Sequence, residues 1–197
     1  RSVLLTGSNA SGKSTFIKTV ALNAILAQTL HTVLAENYQV SWFCIASSMA
    51  LRDDILSQES YYIVEIRSLK RILDLTRLSE LPVLCFIDEV LRGTNTVERI
   101  AASSRILQAI AEQGGLCFAA THDIELTYLL EKEYDNYHFE EQVEDDKVTF
   151  DYCLHEGRAC TRNAIRLLKM LGYEEKIVDD ANERVALFLK SGNWVSS

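Results

Sequence analysis

The sequence has 197 residues, enough for one domain with a substantial core at about 100 to 200 residues per domain, which excludes a disulfide-stapled mini-protein. Lys and Arg number 20 against 28 Asp and Glu, a net charge of −8, so the chain repels polyphosphate backbones and broad nucleic-acid binding by this segment alone is disfavoured. With 48% hydrophobic and 24% charged residues, no apolar run near the roughly 18 residues of a membrane span and no charged-then-apolar leader, the expectation is a folded, soluble, cytoplasmic protein without a membrane partner.

Breakers are sparse, one Pro and eight Gly, so their positions are informative. Ser2 to Thr6 is a short apolar run that ends in Gly7, and Ser14 to Leu30 follows with helical composition, predicting strand, loop, helix. A less regular stretch containing Tyr38 to Ala46 leads to Ser60 to Leu78, where Tyr62, Ile66, Leu69 and Leu73 recur at helical intervals. Pro82 precedes Val83 to Ile87, an apolar run typical of a strand buried on both faces, and Thr96 to Glu112 again predicts helix. Gly114 and Gly115 turn the chain into a further buried strand, Leu116 to Ala120. Strands alternating with long helices predict an α/β fold with a mostly parallel, doubly wound sheet. From Asp135 the pattern changes: Tyr137 to Glu141 and Lys147 to Leu154 flank the acidic turn Glu144 to Asp146, predicting an antiparallel hairpin at a sheet edge. Helices near Thr161 to Leu171 and Glu174 to Lys190 close the chain. No linker or repeat interrupts it, so residues 1–197 are expected to form one domain, and the start at Arg1 is expected to mark the C-terminal fragment of a longer protein.

Five cysteines, Cys44, Cys85, Cys117, Cys153 and Cys160, form no C-x-x-C pair and read as reduced packing residues. Cys153, His155 and Cys160 fit no standard zinc spacing, so no metal cluster is expected.

Gly7-Ser8-Asn9-Ala10-Ser11-Gly12-Lys13-Ser14 matches G-x-x-x-x-G-K-[ST] in full, between a predicted strand and a predicted helix, the context the motif requires. Its glycines let backbone N–H groups curl around phosphate oxygens. The helix N-terminus adds positive potential, Lys13 neutralises β/γ charge, and the Ser14 hydroxyl suits Mg²⁺. Thr15 extends this phosphate-binding set. A second carboxylate on the Mg²⁺ side belongs at the end of a buried strand beside the first, and Val83-Leu-Cys-Phe-Ile-Asp88-Glu89 supplies it. Asp88 then holds the metal and Glu89 polarises the attacking water as general base. His122, in Ala120-Thr121-His122-Asp123, ends the next strand at the same edge and can sense a γ-phosphate; the competing reading is a cap for the following helix. His31, His138 and His155 read as structural.

Together with Thr15-Phe-Ile-Lys18, Asp53 to Glu65, Phe86 to Thr96 and Ala120-Thr121-His122, these motifs resemble the ATPase domain of the MutS DNA mismatch-repair family, a branch of the ABC-type P-loop ATPases, in the family's order and over nearly the whole chain. The resemblance implies ATP and Mg²⁺ as cofactors and a homodimer that sandwiches two ATP molecules. Ser60 would be the serine presented to the partner's γ-phosphate, with Gly93, Thr94, Asn95 and Thr96 crossing the interface near both nucleotides. It also implies DNA contacts through regions outside this chain. On the residues alone, Ser60 reads as a helix N-cap and Thr94 to Thr96 as a polar helix entry. Three segments depart from the pattern: Gln58-Glu59 replaces Gly-Arg, Val90-Leu91-Arg92 replaces Ile-Gly-Arg, and Glu156 to Cys160 follows the Gly-rich segment only loosely. Gly93 to Arg99 is closer to divergent MutS-like proteins that keep the ATPase and lack mismatch-reading domains. Tyr152, expected on the last strand, is a candidate aromatic partner for adenine, against core packing. The competing functions are an ABC-type transporter engine, which Ser57-Gln58-Glu59-Ser60 fits poorly as a signature, and a nucleotide switch with a non-DNA partner.

Overall fold

The computed structural model describes residues 1–8, 11–49, 61–91, 94–144, 147–159 and 164–192. These fall into two compact units, residues 1–139 with 152–159, and residues 140–151 with 160–197.

The first unit is built on a six-stranded sheet of order β2-β3-β4-β1-β5-β8, comprising β1 (Ser2–Thr6), β2 (Cys44–Ser48), β3 (Val83–Asp88), β4 (Leu116–Ala120), β5 (Tyr134–His138) and β8 (His155–Glu156). The first five run parallel and β8 closes the edge antiparallel to β5, with His138 opposite His155. All six residues of β3 are buried, as its uninterrupted apolar run requires. Alternate residues feed two core layers. Leu4, Cys85, Ile87, Cys117 and Ala119 pack with Leu69 and Ile72 of α2 (Tyr61–Leu78), Leu107 and Ile110 of α3 (Thr96–Glu112) and Leu126 of α4 (Glu125–Leu129). Leu5, Leu84, Phe86 and Ala120 pack with Ile17, Ala21 and Ala24 of α1 (Lys13–Leu30). A period of two in the strands thus puts helices on both faces, the mostly parallel α/β architecture expected.

Three strand expectations are corrected. The irregular stretch after α1 ends in β2, whose serines and mixed burial hide it; it is held by parallel pairing to β3, with Cys44 opposite Val83. Tyr134–His138 joins the parallel sheet next to β1 rather than a hairpin. The hairpin does form, from β6 (Glu141–Glu144) and β7 (Lys147–Phe150), but as its own two-stranded sheet, and the antiparallel edge of the main sheet is β8. The two strands carrying the nucleotide motifs are also not neighbours: β4 lies between β1 and β3. In the second unit, besides the hairpin, α5 (Ala164–Met170) packs on α6 (Glu175–Ser191).

Cys85 and Cys117 are buried neighbours in register, and the Cys117 hydrogen bond together with burial pushes the Cys85 thiol well above its usual range, keeping it protonated and inert. Cys153 is exposed, so the packing reading does not extend to it, and Cys160 lies outside the described residues. Among the described residues no helix is long and apolar enough to cross a membrane.

Candidate functional site

Parallel strands end at one edge, and β1, β3 and β4 deliver their motifs there. Backbone bonds beyond the strands fix the loops: Thr121 N donates to Leu5 O at 2.9 Å, Phe139 N to Thr6 O at 3.0 Å and Glu89 N to Ala120 O at 3.1 Å. The consequence is a cleft of about 580 Å³ lined by Ser11 to Phe16, Thr19, Glu89, Phe139 and Tyr152.

The glycine loop leaves β1 through Gly7 at φ 141° and enters α1 through Gly12 at φ 111°, both in the region side chains rarely adopt. A Cβ at Gly7 would sit 2.8 Å from the Phe139 carbonyl oxygen and 3.0 Å from Ser11 Oγ, so the loop passes too close to the neighbouring backbone for any other residue. Lys13, only 4% exposed, donates from Nζ to the carbonyls of Gly7 (2.7 Å) and Ser8 (2.6 Å), which gives its buried ammonium charge-assisted partners inside the loop. Ser14 is half-buried and Thr15 exposed in the first turn of α1. Asn9 and Ala10 lie outside the described residues.

Asp88, the last residue of β3, is 8% exposed and its Oδ1 is buried without a hydrogen-bond partner among the described residues, a placement suited to a cation and costly for a bare carboxylate. The chain does not enter a helix directly after Asp88 but turns through Glu89 at φ 61° and Leu91 at φ 58°. Non-glycine residues in this left-handed region persist only when their surroundings hold them. One such hold escaped the sequence reading: Glu65 of α2, 5% exposed, accepts a hydrogen bond from Leu91 N.

Glu89 and His122 meet. His122 Nε2 lies 2.6 Å from Glu89 Oε1, and because an ionised carboxylate only accepts, the ring nitrogen carries the proton. His122 therefore does not cap α4, whose N-cap is Ile124. The neighbouring Asp123 takes a bidentate pair from Arg99 in the first turns of α3, at 2.8 and 2.6 Å, and that hydrogen bond raises Arg99 above the ordinary guanidinium range. Spacing gave no signal for this pair, since 24 residues separate the partners. Asn95 caps α3, its Oδ1 accepting from Val97 N at 2.9 Å, as the polar helix entry predicts, and Thr94 Oγ1 donates to Glu98 at 3.3 Å. Ser60 and Gly93 lie outside the described residues.

Tyr152 is not on a strand. It sits between β7 and β8 at φ 53°, 65% exposed, which removes the core-packing alternative. Its ring comes against Gly12, where an added Cβ would lie 3.5 Å from Tyr152 Cδ1, and Phe139 beside it packs edge-on to Phe16 at 5.9 Å. His138 is 6% exposed with Nδ1 3.1 Å from Gly157 O, in keeping with a structural role.

Residues 3–188 match the family model described as MutS domain V. The DNA mismatch repair protein MutS of Natronomonas pharaonis is 35% identical over 184 residues, 91% of this chain and 21% of that protein. The protein of the same name from Thermus thermophilus is 31% identical over 181 residues, 91% of this chain and 22% of that protein. The DNA mismatch repair protein MutS 2 of Haloarcula marismortui is 30% identical over 187 residues, 93% and 19% respectively. The chain spans about a fifth of the length of these curated relatives.

Proposed function

The chain belongs to the MutS family, matched through domain V, and from that premise we propose that it is a P-loop ATPase domain that binds ATP with Mg²⁺ and hydrolyses it to ADP and phosphate. The observation that carries this reading is the cleft in which Ser11 to Thr15 of the glycine loop face Glu89, with Asp88 immediately before it at the end of β3.

Gly7, Ser8, Asn9, Ala10, Ser11, Gly12, Lys13, Ser14 and Thr15 would hold the phosphates through backbone N–H groups and the start of α1. Lys13 would exchange the carbonyls of Gly7 and Ser8 for phosphate oxygens. Ser14 and Asp88 would hold Mg²⁺, and Asp88 Oδ1, buried with no hydrogen-bond partner among the described residues, fits that role. The ion, when bound, neutralises charge on the β- and γ-phosphates. Glu89 would take a proton from the attacking water while the P–O bond to ADP breaks, and the His122 N–H would hold the carboxylate in place for that transfer. Tyr152, beside the loop and facing the cleft, is the candidate stacking partner for adenine.

The site would be completed by a second copy of the chain, with Ser60 of one subunit reading the γ-phosphate held by the other and Gly93, Thr94, Asn95 and Thr96 crossing between them. The relatives' names point to DNA mismatch repair. With a net charge of −8 on this chain, nucleotide state would act on DNA through DNA-binding or clamp regions outside it. A nucleotide switch without turnover would have no use for the Glu89–His122 pair, which favours hydrolysis.

Glu89→Gln should bind ATP and trap it between subunits, shifting monomer to dimer by mass action. Light scattering should show a dimer with Mg-ATP, a monomer with ADP or no nucleotide, and a monomer throughout when Ser60→Arg is added. A monomer under every condition would count against the composite site.

A further inference from the structure

Arg99 and Asp123 do not line the cleft, yet their pairing reaches its chemistry. Arg99 Nε and Nη2 donate to the two oxygens of Asp123 at 2.8 and 2.6 Å, a fork-on-fork geometry, with the side chains only 23% and 11% exposed. A bidentate pair this shielded holds geometry in a way an exposed ion pair does not. Each partner is anchored on its own side. Arg99 N donates to Asn95 O at 2.8 Å, so the backbone of Arg99 belongs to the capped turn that begins α3. Asp123 N donates to Thr121 Oγ1 at 3.0 Å, and Asp123 O accepts from Leu126 N at 3.2 Å. Between Thr121, tied to Leu5 O, and Asp123 stands His122, whose ring holds Glu89 at 2.6 Å.

We propose that the Arg99–Asp123 pair is a positioning clasp for the His122–Glu89 pair, joining that pair to the turn at Thr94 and Asn95. The proposal rests on the reading of Glu89 as the general base. Releasing the clasp lets the 121–123 turn move, and His122 no longer presents its N–H to Glu89 in one orientation. A displacement of about 1 Å at a catalytic group costs on the order of 100-fold in rate. Because the turn at Thr94 and Asn95 is the one assigned to the partner-facing loop, engagement of a second subunit would reach Glu89 by this route.

The test uses Arg99→Gln, Asp123→Asn and Arg99→Lys, with Glu89→Gln as reference, and two readouts. In the protein without nucleotide at fixed pH, the His122 ring nitrogen signals are followed by NMR, assigned by their loss in His122→Asn. Arg99→Gln and Asp123→Asn should move them towards their position in Glu89→Gln, Arg99→Lys should move them less, and His138 and His155 should stay put. In the second readout, kcat should fall about 10- to 100-fold in Arg99→Gln and Asp123→Asn while the ATP dissociation constant stays at the wild-type value. His122 signals at their wild-type positions in both variants would overturn the clasp, as would a fall in ATP affinity that accounts for the whole loss of rate. A wild-type chain that hydrolyses no ATP but whose His122 signals move as described would defeat the ATPase reading and leave the clasp standing.

Discussion

Asp88→Asn should make the protein more stable and less able to use magnesium. Asp88 is 8% exposed, and its Oδ1 has no hydrogen-bond partner among the described residues. A buried acceptor left unsatisfied costs about 1–3 kcal/mol, and more when charged. Asparagine keeps the shape and one acceptor but removes the charge, so a recovery of about 1 kcal/mol is expected. For a chain of this size that raises Tm by about 2–4 °C in EDTA. In the wild type, Mg²⁺ added with ATP should raise Tm through linkage, by about 2.7 kcal/mol of stability at a hundredfold excess over Kd. Asp88→Asn should lose the part of that rise that depends on Mg²⁺ and retain the part due to ATP alone. Thermal unfolding of both proteins in EDTA, in ATP with EDTA and in Mg-ATP measures each term. A lower Tm for Asp88→Asn in EDTA would show that the carboxylate is satisfied within the fold, and an undiminished magnesium increment would remove Asp88 from the metal site.

Lys13→Ala should weaken ATP binding about tenfold or more by calorimetry, since a charge-assisted hydrogen bond is worth about 1.5–3 kcal/mol against 1.4 kcal/mol per decade. Lys13 exchanges its bonds to the Gly7 and Ser8 carbonyls for phosphate oxygens, which sets the expected loss at the low end of that range; unchanged affinity would refute the phosphate role. On its own this chain should bind duplex DNA only weakly, because a net charge of −8 offers little counterion release; nanomolar binding by fluorescence anisotropy at physiological salt would reveal a basic face.

What the sequence makes legible is what is local. Gly7 to Ser14 is readable because all its chemistry sits within one turn between a strand and a helix, and Asp88-Glu89 because it follows a run buried on both faces. Helix α3 keeps its expected bounds, Thr96–Glu112, because Asn95 caps it and two glycines end the segment after it. Strand β2 is not readable from Cys-Ile-Ala-Ser-Ser: its identity comes from pairing with β3, which no local pattern encodes. The insertion of β4 between β1 and β3 is likewise a matter of pairing. It is this register, Asp88 opposite Ala120, that brings His122 to Glu89 across 33 residues and gives the histidine a partner that spacing could not reveal. Glu65 and the Arg99–Asp123 pair stayed hidden for the same reason: charged residues in helices and turns read as solvated until tertiary packing buries them.

The central claim, that this cleft hydrolyses ATP with Glu89 as the base, is tested most directly by phosphate release from the wild type and Glu89→Gln, with ATP binding measured in parallel. The expected result is Mg²⁺-dependent turnover in the wild type and a loss of about 10²- to 10⁴-fold in Glu89→Gln, with ATP affinity preserved. No turnover in the wild type, or turnover that survives the loss of the Glu89 carboxylate, would contradict it.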